Sequence, residues 1–132
     1  MKVEDVLETV KTSITDSCGI PIEKIELDSP LFPGLSIDSI DLVDILYSLE
    51  KKYRISLKIS DINKNARKEL GDKPFDRDGV ITEEGISVLR KIMPEIAPEN
   101  IKPGLSVYDL MQLLTVHSLC NMVIYKLEEK GQ

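Results

Sequence analysis

Residues 36–44, SIDSIDLVD, place Ser39 between acidic side chains at the point where a helix is expected to begin. A catalytic serine needs a general base within hydrogen-bonding distance, and no histidine, lysine or glycine-rich loop lies nearby in the sequence. Ser39 is therefore either a cap of that helix or a residue on which another protein acts. Ser36 is a weaker candidate, because it precedes the expected helix.

The elements that must position this serine are two helices and the loop that joins them. Apolar residues recur at helical spacing from Val3 to Ile14, and Gly19 followed by Pro21 ends the pattern. Residues 20–37 are rich in proline, which predicts a long loop held against a core by isolated apolar side chains. These apolar side chains include Ile25, Leu31 and Phe32.

The second helix is predicted to run from near Ser39 to about Tyr53. Its inner face is expected to carry Ile40, Val43, Leu46, Leu49 and Tyr53. Asp41 and Asp44 then fall on the opposite, exposed side. Carboxylates suit this end of a helix, because its N-terminus carries a partial positive charge.

Three more helical segments follow, so the chain is predicted to be all-α. The apolar spacing over residues 59–70 predicts one short helix, and the segment 81–93 predicts another. Ser106 begins a capping-box pattern ahead of an apolar stretch through Leu127, which predicts one long terminal helix. A single domain over residues 1–132 is expected, because a chain of this length suits one core. No internal repeat or low-complexity tract is present.

The composition narrows the class of protein. The 132 residues are 42% hydrophobic and 30% charged, which is typical of a globular domain. A formal net charge of −6 argues against nucleic-acid binding and favours locally basic protein partners. The chain has neither an apolar run long enough to span a bilayer nor a secretory signal, so we expect a cytoplasmic protein that does not insert into membranes.

Metal-binding signals are weak. FDRDGVITEEG matches the middle of a calcium loop through Asp76, Asp78 and Gly79. Pro74 and Gly85 stand at its first and twelfth positions, so two main ligands are missing and a turn is expected instead. His117 is expected to be partly buried in the terminal helix. Cys18 and Cys120 fit buried free thiols better than a metal site, while a single disulfide between them stays open.

The chain resembles the acyl carrier proteins. A first helix, a proline-bearing loop and Asp38-Ser39-Ile40 at the start of an acidic helix are similar to the family's arrangement around its Asp-Ser-Leu motif. The likeness covers about residues 1–57 and resumes near Asn100 with IKPGLSVYDLMQLL, which looks like the lead-in and last helix of the family. The resemblance implies an acyl-carrier-like helical bundle with an insertion over about residues 58–99, which holds the two short extra helices.

The resemblance implies a carrier and not an enzyme. In the family, a phosphopantetheinyl transferase moves 4'-phosphopantetheine from coenzyme A onto a serine, and acyl groups are carried as thioesters on the terminal thiol of this arm. Ser39 matches the attachment position, and the free N–H groups of a helix N-terminus suit a phosphodiester. The carrier needs no base, because the transferase supplies it.

The resemblance also implies how partners and acyl chains are bound. Asp38, Asp41 and Asp44 match the acidic edge that docks on basic patches of acyl synthetases, ketosynthases or acyltransferases. The side chains expected to flank the acyl chain are Ile40, Val43, Leu46, Leu110, Leu113 and Leu114. A monomer that binds neither metal nor nucleic acid is expected.

The implied pathway is fatty acid synthesis, or the synthesis of lipid A and similar lipopolysaccharide-type lipids. Residues 105–129 are longer and more apolar than an ordinary carrier needs, and they look similar to the last helix of carriers of very long hydroxyacyl chains for lipid A. Two alternatives stay open: a peptidyl carrier of a peptide synthetase, and an unmodified helical interaction module. In the module, Ser39 or Asp38 only caps the second helix and the acidic residues form a solvated face.

Overall fold

The computed structural model describes residues 2–32, 35 and 37–130. These residues form six α-helices and one small sheet, which confirms the predicted all-α, acyl-carrier-like class. The helices are α1 (Val3–Cys18), α2 (Ser39–Tyr53), α3 (Ser60–Leu70), α4 (Glu83–Ile92), α5 (Val107–Met111) and α6 (Val116–Glu129). The strands are β1 (Asp76–Arg77) and β2 (Val80–Ile81), and short 3-10 helices span Ile22–Lys24 and Pro98–Asn100. None of the described helices is long and apolar enough to cross a membrane.

The chain divides into two compact units. Unit 1 comprises Met1–Lys58 and Leu114–Gln132, and unit 2 comprises Ile59–Leu113. The weaker serine candidate, Ser36, lies outside the described residues. The predicted single domain with an insertion over residues 58–99 stays a prediction.

Unit 1 is built on α1, which packs against both α2 and α6. The side chains buried between these helices include Val6, Val10, Ile14, Leu42, Ile45, Leu49, Leu119 and Val123. A polar contact also joins α1 to α2. The fully buried Ser13 Oγ accepts hydrogen bonds from Ser48 Oγ and Lys52 Nζ, each at 3.2 Å. Burial of the apolar faces supplies most of the stability, and the polar contact limits how the helices can slide.

The long loop between α1 and α2 is held against this core, as predicted. Ile25 and Leu31 are fully or almost fully buried, at 1% and 0% exposure. The Leu31 N–H donates to the Leu114 carbonyl at 3.0 Å, and the Val116 N–H donates to the Ser29 carbonyl at 3.0 Å. These backbone hydrogen bonds fix the loop to the residues that precede and begin α6.

The prediction of one long terminal helix was wrong. The chain leaves the helical conformation after Met111, and a new helix begins behind Thr115. Two interactions stabilise the break: Thr115 forms a capping box with Ser118, and the Leu114 carbonyl accepts its hydrogen bond from the loop instead of from a helical turn. As a result α5 belongs to unit 2 and α6 belongs to unit 1.

The predicted inner face of α2 was partly wrong. Leu46 and Leu49 are buried as expected, but Ile40 and Val43 are 72% and 64% exposed. The error lies in the helical phase. Ile40 and Leu49 are nine residues apart, which corresponds to a rotation of about 180° around the helix axis, so their side chains lie on opposite faces. The buried face instead follows the spacing of Leu42, Ile45, Leu46 and Leu49.

Unit 2 pairs the two predicted short helices, and α3 packs against α4. The connection between them forms the expected turn at Asp78 and Gly79, whose φ angles are 54° and 85°. Positive φ at both central residues is typical of a tight β-hairpin, so β1 and β2 pair antiparallel on either side of the turn. This small sheet was not predicted. Fully buried side chains such as Phe75 and Leu89 form the core of the unit.

Candidate functional site

Ser39 is the first residue of α2, and its side chain is exposed. The cap of the helix is Asp38, which forms a reciprocal capping box with Asp41. The Asp41 N–H donates to Asp38 Oδ1 at 2.8 Å, and the Asp38 N–H donates to Asp41 Oδ2 at 3.3 Å. Since Asp38 serves as the cap, the Ser39 hydroxyl has no capping role, and it makes no hydrogen bond within the described part of the chain.

The start of α2 also presents free hydrogen-bond donors. The capping box satisfies the N–H groups of Asp38 and Asp41, which leaves those of Ser39 and Ile40 without a partner among the residues described. A helix N-terminus carries about half a positive elementary charge. Two free N–H groups beside an exposed hydroxyl therefore fit a phosphodiester attached to that hydroxyl.

The carboxylates around Ser39 have different environments. Asp44 is exposed, as predicted, and Asp38 is exposed as well, whereas Asp41 is half-buried and takes part in the capping box. The expectation that Asp41 is exposed was therefore wrong. Its position as the third residue of the helix explains the difference, because its carboxylate reaches back to the N-cap backbone.

The sequence analysis did not predict that Cys18 lies near these carboxylates. Burial, followed by the charges of Asp41, Asp38 and Asp44 in that order, raises the pKa of the Cys18 thiol to about 11. The last residue of α1 therefore lies within electrostatic reach of the start of α2. A thiolate at Cys18 is disfavoured at neutral pH, so this residue is a poor nucleophile beside the candidate site.

The outer face of α2 carries an apolar stripe that the sequence analysis also missed. Ile40, Val43 and Tyr47 are 72%, 64% and 60% exposed. Lys51 Nζ lies 5.2 Å from the centroid of the Tyr47 ring, a cation–π contact. The spacing of these residues, three or four apart, was visible in the sequence, but the wrong helical phase assigned two of them to the core.

The side chains expected to flank an acyl chain do not share one environment. Leu46 and Leu114 are buried in unit 1, Leu110 is buried in unit 2, and Leu113 is half-buried there. Ile40 and Val43 lie on the surface instead.

The other candidate residues form no metal-binding cluster within the described part of the chain. No group of three or more His, Cys, Asp or Glu side chains that could hold a metal ion is found in residues 2–32, 35 and 37–130. Asp76 is engaged elsewhere, with Oδ1 accepting from Arg67 at 3.2 Å and Oδ2 accepting from the Gly79 N–H at 3.2 Å. Cys18 and Cys120 are free thiols, and His117 is half-buried.

Comparison with known proteins identifies a related family. Residues 8–67 match the family described as the phosphopantetheine attachment site, and this segment includes Ser39. The acyl carrier protein of Chlamydia trachomatis serovar L2 is 32% identical over 72 residues, which is 54% of this chain and 87% of the relative. The acyl carrier protein of Clostridium acetobutylicum is 35% identical over 52 residues, 39% of this chain and 68% of the relative. No solved structure matches the chain significantly.

The family match indicates 4'-phosphopantetheine as a covalently attached group, and proteins of this kind are carriers and not enzymes. Such a carrier interacts with a phosphopantetheinyl transferase and with enzymes that handle acyl groups. The exposed serine at the start of α2 and the matched relatives agree, and the chain belongs to the acyl carrier protein family.

Proposed function

We propose that 4'-phosphopantetheine is attached to Ser39 Oγ and that the protein carries acyl groups as thioesters on this arm. The observation that supports this assignment most strongly is the division of roles at the start of α2. Asp38 caps the helix, so the exposed Ser39 hydroxyl is left for modification. The free N–H groups of Ser39 and Ile40 would stabilise the phosphodiester, and the attached arm would supply the thiol for thioester chemistry.

We infer that partner enzymes dock on the outer face of α2. This face combines the exposed stripe of Ile40, Val43 and Tyr47 with the carboxylates of Asp38 and Asp44. An exposed apolar stripe beside charges of one sign favours a partner with an apolar patch bordered by Lys or Arg. The half-buried Asp41 contributes mainly by stabilising the helix start.

For the acyl chain, unit 1 offers Leu46 and Leu114 as buried apolar contacts. Part of the thioester-linked chain would be sheltered by such side chains, each buried methylene contributing about 0.8 kcal/mol at most. The roles of Leu110 and Leu113 in acyl binding stay predictions. Since Ile40 and Val43 are exposed, we assign them to partner docking instead.

We place the carrier in fatty acid synthesis or a related lipid pathway, in the cytoplasm. The argument for lipid A relied on one long terminal helix, and that helix is interrupted between Met111 and Val116. The matched relatives are named only as acyl carrier proteins, which favours the general pathway over the specialised one.

The test is intact mass spectrometry after incubation with coenzyme A and a phosphopantetheinyl transferase of broad specificity. Wild-type protein should gain one arm, and Ser39→Ala should gain none. Ser60→Ala is a matched control, because Ser60 is also an exposed serine at the first position of a helix. No modification of the wild type by several transferases would favour the unmodified interaction module. Loss of the arm in both variants would contradict the specific assignment to Ser39.

The peptidyl carrier is separated from the acyl carrier by the group on the arm. Protein purified from its own cells should release a fatty acyl group on treatment with neutral hydroxylamine. Release of an amino acid or peptide would instead assign the chain to a peptide synthetase system.

A further inference from the structure

A cleft lies in unit 1 where α2 and α6 end. It has a volume of about 270 Å³. Its lining residues are Arg54, Ile55, Ser56, Lys126, Glu129 and Lys130. The axis of α2 covers about 22 Å between Ser39 and Arg54, so the cleft lies at the opposite end of the helix from the attachment site. Neither arm attachment nor docking on the outer face of α2 accounts for it.

The cleft is positively charged although the protein as a whole has a net charge of −6. Three cations and one carboxylate line it, which gives 3 − 1 = +2. Two helices end there, and each C-terminus carries about half a negative charge. These two ends together offset about one positive charge, so about one remains. Compensation of the helix ends therefore does not account for all of the positive charge.

Arg54 at the end of α2 and Lys130 at the end of α6 differ in what they contact. Lys130 Nζ donates to the Arg54 carbonyl at 3.0 Å, which satisfies a carbonyl at the C-terminus of α2. An ammonium group has three donors, so Lys130 can also bind an anion in the cleft. The Arg54 side chain is exposed and makes no hydrogen bond or ion pair with another side chain among the described residues.

The backbone of Arg54 gives an independent reason to expect a role for its side chain. Arg54 ends α2 in the left-handed conformation, with φ 56° and ψ 49°. Glycine or asparagine is usual at such a position, because a larger side chain on the Cβ raises the free energy of this conformation. Strained residues of this kind concentrate at functional sites. The arginine at this position, which forms one wall of the cleft, therefore supports a ligand-binding role for its side chain.

We propose that this cleft binds an acidic polypeptide segment of another protein. The Arg54 guanidinium can hold a carboxylate through two parallel hydrogen bonds, and Lys130 can hold a second carboxylate. The half-buried Ile55 offers an apolar wall for the methylene groups of a glutamate side chain. A partner bound here would hold the carrier by one end while the Ser39 end stays accessible to other enzymes.

Volume and charge favour a polypeptide over a single phosphate ion. The 270 Å³ of the cleft is about nine times the ~30 Å³ that one water molecule occupies, so it has room for several side-chain groups. A phosphate would concentrate its charge at one point in a cleft that also contains the Glu129 carboxylate. Separate carboxylates on a peptide can approach the cations and avoid that acidic side chain.

The test is the binding of a fluorescein-labelled hexaglutamate peptide to the full chain, followed by fluorescence anisotropy at low salt. Amide chemical shifts should change at residues 54–56 and 126–130, which locates the peptide. Arg54→Gly combined with Lys130→Gln should raise the Kd by about tenfold, as expected for the loss of two exposed charge contacts. The glycine also removes the backbone strain at position 54, so a failure to fold is not expected.

The control is Lys24→Gln combined with Lys64→Gln, which removes two exposed cations elsewhere and changes the net charge by the same amount. Its Kd should stay close to that of the wild type. Absence of binding, shifts at other residues, or equal weakening in both double variants would overturn the proposal. Tighter binding of inorganic phosphate, or of vesicles of phosphatidylglycerol, at the same amides would also overturn it. Arm attachment is measured separately, so failure of the Ser39 assignment would not be mistaken for failure of this one.

Discussion

Replacement of Gly85 by alanine tests the packing of unit 2. Gly85 is buried near the start of α4. A Cβ atom there would lie 2.6 Å from the Phe75 carbonyl oxygen and 2.7 Å from Ile81 Cγ2. The first contact is with a backbone atom, so a change of side-chain rotamer cannot relieve it.

Two effects of opposite sign decide the magnitude. Alanine is favoured over glycine inside a helix by up to about 1 kcal/mol. Overpacking a core costs about 1–3 kcal/mol, and a contact with rigid backbone belongs in the upper part of that range. The gain is reduced here, because Gly85 lies in the first turn of α4, where its N–H donates to Thr82 Oγ1 at 3.0 Å. We therefore expect Gly85→Ala to destabilise unit 2 by about 1–2 kcal/mol.

Native-state amide hydrogen exchange measures this change within unit 2. The slowest amides of α3 and α4 should exchange about 5–30 times faster in Gly85→Ala, the factor that corresponds to 1–2 kcal/mol. Ser87→Ala is the control, because Ser87 is an exposed residue of the same helix and its replacement creates no buried contact. If Gly85→Ala slows exchange, or matches Ser87→Ala, the described packing of α4 against Phe75 and Ile81 is wrong.

Three further predictions concern unit 1. Asp38→Ala removes the cap of α2 and should lower the free energy of unfolding in urea by about 1 kcal/mol, whereas Asp38→Asn, which keeps a capping oxygen, should cost less. Asp44→Lys should leave circular dichroism unchanged and should slow arm attachment at low salt only, because salt screens the contact between exposed charges. The control is Glu84→Lys in unit 2, and equal slowing in this variant would contradict the proposed docking face. Burial, followed by the charges of Asp41, Asp38 and Asp44, raises the pKa of the Cys18 thiol from about 9 to about 11. The rate of alkylation of this thiol should therefore increase up to about pH 11, and a rate that levels off near pH 9 would refute this. Because the folded state disfavours the thiolate, the free energy of unfolding should fall as the pH rises from about 9 to 11.

Helix starts and ends that depend on local hydrogen bonds could be predicted from the sequence. The start of α2 at Ser39 follows from Asp38 and Asp41, which lie three residues apart and cap each other. The end of α1 follows from Gly19, which adopts the left-handed conformation with φ 74°. In both cases the residues that define the boundary are neighbours in the sequence, so no tertiary contact is needed to interpret them.

The break between α5 and α6 could not be predicted in the same way. It depends on hydrogen bonds from the Leu31 and Val116 N–H groups, which join segments about eighty residues apart in the chain. Apolar residues on both sides of the break hid it, because they continue a helical pattern. The phase of α2 could have been predicted from the sequence. It was missed because three successive steps of three residues, from Ile40 to Leu49, were followed instead of alternating steps of three and four.

The small sheet of unit 2 carried a sequence signal that was only partly used. Asp78-Gly79 is a strong signal for a tight hairpin, and the turn was predicted. The strands on either side are two residues long, which is too short for an alternating pattern to be visible.

The central claim is that Ser39 carries the arm. Tandem mass spectrometry of proteolytic peptides tests it most directly, on protein co-expressed with a phosphopantetheinyl transferase. We expect a single modified peptide, with the arm on Ser39 and on no other serine. An arm on Ser36, Ser60 or any other residue, or a Ser39 peptide that stays unmodified while a known carrier in the same cells is modified, would contradict the account.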